Sequence, residues 1–189
     1  MRTGFFGGTF DPVHIGHLIA AQDALDALSL SRVLFVPAGN PPHKRHHAIT
    51  PAPIRLQMLE AAIRDIDTFE VCTLEVVRAG PSYTVDTLRE LKSQDPEQEL
   101  FLLVGADQAR DLPDWRAPQE IVHLACVVLL SREGVNTVPR LQPLVRREVR
   151  VRRIDVSATD IRERVARGQS IRFLVPAAVE AIIEDLGLY

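Results

Sequence analysis

An alternation of short apolar runs with segments of helical periodicity is the sequence feature that most constrains the fold. The runs are rich in Val, Ile, Leu and Phe and have the length of buried strands, and the segments between them repeat apolar residues at helical spacing. Strands that alternate with helices are joined by right-handed crossovers into a parallel sheet. The sequence therefore predicts an α/β fold, a doubly wound and mostly parallel sheet with helices on both faces.

The boundaries of these elements follow from turn and capping residues. Thr84 and Ser157 are placed to cap helix N-termini, and Gly168 and Gly187 are placed to end helices. The predicted strands are 3–6, 33–36, 69–77, 101–104, 125–130 and 149–154, and the predicted helices are 16–28, 54–63, 84–91, 157–166 and 177–186.

Composition excludes several classes of protein. A net charge of −3 argues against a chain that mainly binds nucleic acid or an anionic membrane. Cys72 and Cys126 lie far apart outside any CxxC pair, which excludes zinc ribbons and disulfide frameworks. No apolar run is long enough to span a bilayer, and the first residues lack a signal-peptide pattern. We expect one cytoplasmic domain, 1–189, with a helical C-terminal part at 156–189; a homo-oligomer is left open.

The loop after the first predicted strand has the sequence GGTFDPVHIGH. Gly7 and Gly8 allow a ligand to approach the backbone closely, and the helix that follows directs its free N–H groups into the same space. His14 and His17 lie three positions apart at the start of that helix, so both rings can reach one ligand. The segment predicts a phosphate site. Zinc ligation by the two histidines is the alternative, although no third ligand follows at a suitable spacing.

Two further loops follow predicted strands and would lie at the same edge of the sheet. The loop containing Lys44 is basic and rich in proline, which favours a second anion contact, although its neighbouring basic residues suit an ordinary exposed loop. Gly105 and Asp107 follow the strand 101–104, where an acidic side chain can accept hydrogen bonds from a ribose. Ligands of doubly wound sheets bind at this edge.

An aromatic group of residues suggests a site for a planar ligand. Tyr83 and Thr84 combine a ring with the free amides of a helix N-terminus. This combination suits a planar ligand that carries a carboxylate. An ordinary helix cap explains the two residues equally well. Trp115 is the only tryptophan and lies in a polar stretch, so a stacking surface is favoured over a core position.

The segment VSATDIR begins the penultimate predicted helix. Ser157 and Thr159 offer hydroxyls to a phosphate, and Arg162 adds a permanent positive charge one turn later. In isolation a capping serine and a solvated arginine would explain the segment. A second helix start suited to an anion, after another strand, makes the phosphate hypothesis stronger.

Together these motifs resemble the nucleotidyltransferase superfamily with HxGH and SxTxIR signatures, which match HIGH and VSATDIR here. More closely, they resemble the bacterial nicotinate-nucleotide adenylyltransferases. The segments that carry this closer likeness are GGTFDPVHIGH, PPHK, PSYTVDTL, GAD, LPDW and FLVPAAVEAII. Two positions depart from the family pattern: Ala158 replaces a frequent serine, and Arg116 stands where an aromatic residue is common.

The resemblance implies a Rossmann-like fold and a transfer of AMP from ATP to nicotinate mononucleotide, giving deamido-NAD and pyrophosphate with the help of Mg²⁺. No residue is assigned as a metal ligand, and whether Asp11 or Asp107 contacts Mg²⁺ directly is left open at this stage. The resemblance assigns catalysis to His14, His17 and Arg162; binding of ATP and phosphates to Gly7, Gly8, Thr9, Phe10, Lys44, Gly105, Asp107, Ser157 and Thr159; and binding of nicotinate to Tyr83, Thr84 and Trp115.

Three alternatives remain at this stage. The same chemistry could act on NMN, which differs from nicotinate mononucleotide only in an amide for a carboxylate, or on another phosphorylated acceptor. A non-catalytic nucleotide-binding regulator would be expected to lack a histidine or the final arginine, and neither is lost here. A nucleic-acid module is prompted by the arginines between 146 and 153, but these better suit an edge strand.

Overall fold

The computed structural model describes residues 1–41, 49–131 and 143–189. Within these ranges the strands are β1 (Arg2–Gly8), β2 (Arg32–Pro37), β3 (Phe69–Val71), β4 (Glu99–Gly105), β5 (Cys126–Ser131) and β6 (Arg147–Arg150). The α-helices are α1 (Ile15–Ala27), α2 (Ala52–Ile63), α3 (Leu74–Val77), α4 (Thr84–Gln94), α5 (Ala106–Asp111), α6 (Pro118–Leu124), α7 (Ala158–Ala166) and α8 (Ala177–Leu186). A short 3₁₀ helix spans Leu112–Asp114.

The strands form one sheet in the order β3-β2-β1-β4-β5-β6, and every pair is parallel. β1 lies in the middle, with Phe5 opposite both Leu34 of β2 and Leu102 of β4. The chain order reverses direction at β1, so the crevice above its carboxyl end is the expected ligand site. The predicted doubly wound, Rossmann-like α/β fold is confirmed.

Each face of the sheet has its own apolar core. Neighbouring strand residues point to opposite faces, so Phe6 packs in one core and Phe5 in the other. The core containing Phe6 also holds residues from α1, α2, α7 and α8, and the core containing Phe5 holds residues from α4, α5 and α6. Helices therefore cover both faces and fix the direction in which the loops above β1 project.

The structure corrects several predicted boundaries. The strand predicted at 69–77 ends at Val71, and the chain then forms α3. An apolar run alone does not separate a strand from one helical turn. The last strand is 147–150 rather than 149–154, and it lies at the sheet edge as expected. Tyr83 rather than Thr84 is the N-cap of α4.

Two short helices on either side of the 3₁₀ turn, α5 and α6, had no predicted counterpart. They span six and seven residues, too few for a clear helical repeat. No helix in the described part of the chain is long and apolar enough to cross a membrane.

Candidate active site

The loop between β1 and α1, residues 9–14, lies at the centre of the candidate site and is called the β1 loop below. Gly7 and Gly8 end the strand, and the Gly8 carbonyl accepts a hydrogen bond of 2.9 Å from the N–H of Ala38 beyond β2. A Cβ on Gly8 would lie 2.9 Å from the ring of Phe10, so this position requires glycine. The Phe10 side chain is buried against Phe35, with ring centroids 5.8 Å apart. Phe10 therefore offers a ligand only its backbone.

The two histidines meet at the start of α1. His14 is the N-cap, and its N–H donates to Nδ1 of His17 at 3.3 Å. The two rings stack with centroids 3.7 Å apart. The rings of His17 and Phe10 meet in a T-shaped arrangement, with centroids 5.1 Å apart. His14 is buried and His17 is half-buried. This packing fixes both imidazoles beside the free N–H groups of the helix, where an anion is stabilised.

The start of α7 lies next to the start of α1. A Cβ on Gly16 would lie 3.1 Å from the His14 ring and 3.7 Å from the carbonyl of Val156, so only glycine fits here without displacing its neighbours. Ser157 caps α7 by accepting the N–H of Asp160 at 3.1 Å. The starts of α1 and α7 therefore lie close together, and a helix N-terminus attracts an anion.

Arg162 joins these two segments. Its Nη1 donates to the carbonyl of Asp11 at 2.7 Å, and its Nη2 donates to the hydroxyl of Thr159 at 3.2 Å. The side chain is half-buried, and Thr159 is exposed. A guanidinium held in this way keeps N–H groups for a phosphate and cannot lose its charge.

A cavity of about 450 Å³ opens on the other side of the β1 loop. Gly7, Gly8 and Thr9 form one wall of the cavity. Tyr83 and Trp115, both half-buried on the second apolar core, also line the cavity. Aromatic side chains of this kind can pack against a planar ring.

Charge in this cavity is uneven. Among the lining residues in the part of the chain that the structure describes, Arg116 is the one cation. Its guanidinium lies over the Tyr83 ring at 4.8 Å from the centroid and 3.4 Å from a carboxylate oxygen of Asp86. The acidic residues that line the cavity are Glu75, Asp107, Asp111 and Asp114. Of these charged side chains, Arg116 is the one that favours an anionic ring substituent.

A buried polar cluster holds the wall of the cavity. Ser82 Oγ accepts the N–H groups of Gly39 and Asn40 at 3.0 and 3.2 Å. The hydroxyl of Thr87 donates to Glu75 at 2.9 Å, and burial raises the pKa of the Glu75 carboxyl above its ordinary value. These bonds tie the segment after β2 to the start of α4.

A second buried group, Arg55 of α2, lies beneath the β1 loop. Its guanidinium donates to the carbonyls of Thr9 and Ala38 at 2.7 Å each and to that of Thr50 at 2.8 Å. Burial lowers the pKa of Arg55. The side chain is 1% exposed, so it stabilises the loops and does not reach a ligand.

Comparison with known proteins agrees with this geometry. The family model described as cytidylyltransferase-like matches residues 5–164. A Shouchella clausii protein named "Probable nicotinate-nucleotide adenylyltransferase" is 44% identical over 188 residues, covering 100% of this chain and 96% of the relative. A Thermus thermophilus protein of the same name is 44% identical over 189 residues and covers 100% of both chains. The chain belongs to the nicotinate-nucleotide adenylyltransferase family.

Solved structures support the fold of this family member. The Plasmodium falciparum nicotinic acid mononucleotide adenylyltransferase complexed with APC matches with a TM-score of 0.81 at 15% identity, covering 100% of this chain and 96% of that one. The same enzyme complexed with NaAD gives a TM-score of 0.79 at 16% identity, covering 100% and 97%. The resemblance to the nicotinate-nucleotide adenylyltransferases that the motifs indicated is confirmed.

The structure divides the residues assigned by family resemblance into two groups. One group lines the cavity: Gly7, Gly8, Thr9, Tyr83, Thr84, Asp107 and Trp115. The other lies around the starts of α1 and α7: His14, His17, Ser157, Thr159 and Arg162. The β1 loop separates the two groups, so a ligand that spans it would touch both.

The positions of three assigned residues, Gly105, Asp107 and Lys44, need separate description. Gly105 is the N-cap of α5, and its N–H donates to Gln108 at 3.4 Å. The side chain of Asp107 is 96% exposed and lies 3.2 Å from Arg110, so it is accessible to a ribose. Lys44 lies outside the described residues.

Sequence reasoning missed several residues that support or line the site. Arg55, Glu75 and Tyr189 are joined to the site by contacts between distant parts of the chain, and no local motif marks them. Arg116 was visible as a departure from the family pattern, and its charge was the available signal.

Proposed function

We propose that this chain transfers the AMP group of ATP to nicotinate mononucleotide, forming deamido-NAD and pyrophosphate in NAD biosynthesis. The observation that carries the proposal is that residues at the end of β1 line an aromatic cavity while the same loop leads into α1, whose start lies close to that of α7. A ring-bearing acceptor on one side and a nucleotide triphosphate on the other would meet at Gly8 and Thr9.

The reaction joins two anions and needs little proton transfer. The phosphate of the acceptor is already deprotonated at neutral pH, and one of its oxygens attacks the α-phosphorus while the bond to the pyrophosphate breaks. No general base is required for that attack. Catalysis then consists of positioning the two phosphates and stabilising the charge on the transferred group.

We assign that stabilisation to the residues at the starts of α1 and α7. His14 and His17 would donate to the ATP phosphates, and Arg162 would neutralise the charge that develops. Ser157 and Thr159 would brace the same phosphates with hydroxyl and backbone N–H groups, and Lys44 would add a further contact.

Mg²⁺ would enter with ATP as part of the substrate. No group of three or more metal-ligating side chains is present in residues 1–41, 49–131 and 143–189. The ion prefers phosphate oxygens and water and would neutralise the leaving pyrophosphate. We expect the reaction in the cytoplasm, without nucleic acid or membrane as a partner, and a homo-oligomer remains open.

The nicotinate ring is assigned to the cavity. Tyr83 and Trp115 would pack against the ring, and the N-terminal amides of α4 at Thr84 would face its carboxylate. Gly105 and Asp107 would lie at the ribose of ATP.

The test is release of pyrophosphate from MgATP with nicotinate mononucleotide, NMN and phosphopantetheine in parallel. We expect release with nicotinate mononucleotide and much less with the other two. Equal release with NMN would retain the chemistry and reject the assigned selectivity of the cavity. ATP binding without release from any acceptor would favour a regulator.

Arg116 provides a sharper test of the cavity. We expect Arg116→Gln to lower kcat/KM for nicotinate mononucleotide about fivefold and to leave that for NMN nearly unchanged, because an exposed ion pair contributes about 1 kcal/mol. The measurement is kcat/KM for both acceptors with each variant.

The matched control is Arg167→Gln. Arg167 is 64% exposed and pairs with Glu163 at 3.0 Å on α7, so it carries the same charge outside the cavity. Arg167→Gln should leave the ratio of kcat/KM for nicotinate mononucleotide to kcat/KM for NMN unchanged. An equal loss of kcat/KM for nicotinate mononucleotide and for NMN in Arg116→Gln would reject a role of Arg116 in selectivity.

A further inference from the structure

Asp11 in the β1 loop is held from three directions. Its carboxylate accepts the hydroxyl of Tyr189 at 2.7 Å and the backbone N–H of Thr50 at 3.2 Å. Its carbonyl accepts Nη1 of Arg162 at 2.7 Å. Asp11 is 5% exposed, so these partners replace water around it.

Tyr189 reaches Asp11 because α8 packs against α2. Its ring packs on the first apolar core, and the hydroxyl extends from there to the loop. Burial, and then the contact with Asp11, raises the pKa of Tyr189, so the hydroxyl remains a donor at neutral pH. Hydrogen bonds to a charged acceptor are among the stronger ones in proteins.

Asp11 links this contact to the proposed catalytic side. The same residue that receives the Tyr189 hydroxyl gives its carbonyl to Arg162, and Arg55 holds the carbonyl of Thr9 two positions earlier. A shift of the Asp11 carboxylate would rotate its peptide and move the Arg162 guanidinium. A displacement of about 1 Å in a catalytic group can cost as much as 100-fold in rate.

We propose that Tyr189 is a positioning residue for AMP transfer, acting through Asp11 to hold Arg162. The proposal rests on the function proposed above. It assigns Tyr189 no contact with substrate, so substitutions there should change kcat more than the KM of the acceptor, whose cavity lies across the β1 loop.

Tyr189→Phe tests this proposal, because it removes the hydroxyl and keeps the packed ring. We expect kcat to fall about tenfold, with the KM for nicotinate mononucleotide within about twofold of the unmodified value. Glu184→Gln, an exposed change on α8, is the matched control and should leave kcat unchanged. An unchanged kcat in Tyr189→Phe, or a lower melting temperature as its only effect, would overturn the proposal.

A double-mutant cycle separates positioning from a general loss of structure. In an Arg162→Lys background, Tyr189→Phe should lower kcat by less than about twofold further, because both changes disrupt one linked unit. A further tenfold loss in that background would show that Tyr189 acts independently of Arg162, which contradicts the proposal.

The same double-mutant cycle can be measured on the affinity for α,β-methylene ATP, determined by calorimetry, in place of kcat. Tyr189→Phe alone should weaken that binding several-fold, whereas adding Tyr189→Phe to Arg162→Lys should weaken it little further. Failure of the unmodified chain to release pyrophosphate would count against the proposed function alone. Independent effects of the two substitutions on binding would count against the positioning role alone.

Discussion

Replacing His17 with alanine is expected to lower kcat for pyrophosphate release by about 100-fold or more, the loss typical of removing one donor to a transition state. The His17 ring is fixed by stacking on His14 and by an edge contact with Phe10, so it is held in place before substrate binds. Steady-state kinetics with MgATP and nicotinate mononucleotide measure the effect.

Two other variants separate chemistry from structure. His17→Asn retains an acceptor for the N–H of His14, which His17 Nδ1 now receives at 3.3 Å, but lacks the rest of the imidazole. We expect His17→Asn to lose about as much kcat as His17→Ala. His123→Ala removes an exposed histidine on α6 and should have no effect on kcat. Near-normal turnover in both His17 variants would reject the assigned phosphate contact.

Replacing Gly39 with alanine is expected to destabilise the fold by about 3 kcal/mol, within the range for overpacking a buried site. A Cβ at this position would lie 2.1 Å from the carbonyl oxygen of Glu75, and backbone atoms cannot move aside as a flexible side chain would. Any shift would also strain the bonds that Gly39 makes to Ser82 and Arg55. Thermal unfolding should show a melting temperature lower by roughly 6–12 °C.

Gly105→Ala is the matched control. Gly105 ends β4 at the edge of the sheet beyond which Gly39 follows β2, but a Cβ on Gly105 meets nothing within 4 Å, and its φ of −72° suits any residue. Its melting temperature should stay close to that of the unmodified chain. Equal melting temperatures for the two variants would contradict the close approach of Gly39 to α3.

The sequence was sufficient to predict the fold because its signals are local. The alternating apolar runs predicted the parallel sheet, and the capping residues Ser157, Gly168 and Gly187 lie where expected. Glycines at the end of β1 and histidines after it marked the loop that we assign to the phosphates, because their spacing belongs to one short segment. Such features depend on neighbours in sequence, which pattern reasoning can read.

The supporting residues could not be predicted in the same way. The bond from Tyr189 to Asp11 joins positions 178 apart, and that from Arg162 to Asp11 joins positions 151 apart. Such pairs exist only after helices pack on the sheet. Glu75 looked like part of a strand, and its burial follows from the turn of α3, which a four-residue segment does not reveal by periodicity.

The separation of the two groups of site residues has a consequence for synthesis of the chain on the ribosome. The lining residues that the structure describes lie between positions 5 and 121, whereas Ser157, Thr159, Arg162 and Tyr189 come later. Chains generally fold as they emerge, N-terminal parts first. A nascent chain would therefore hold the sequence for its acceptor cavity, together with His14 and His17, well before it holds Ser157, Thr159 and Arg162, and the proposed phosphate site would be complete only after those three residues emerge.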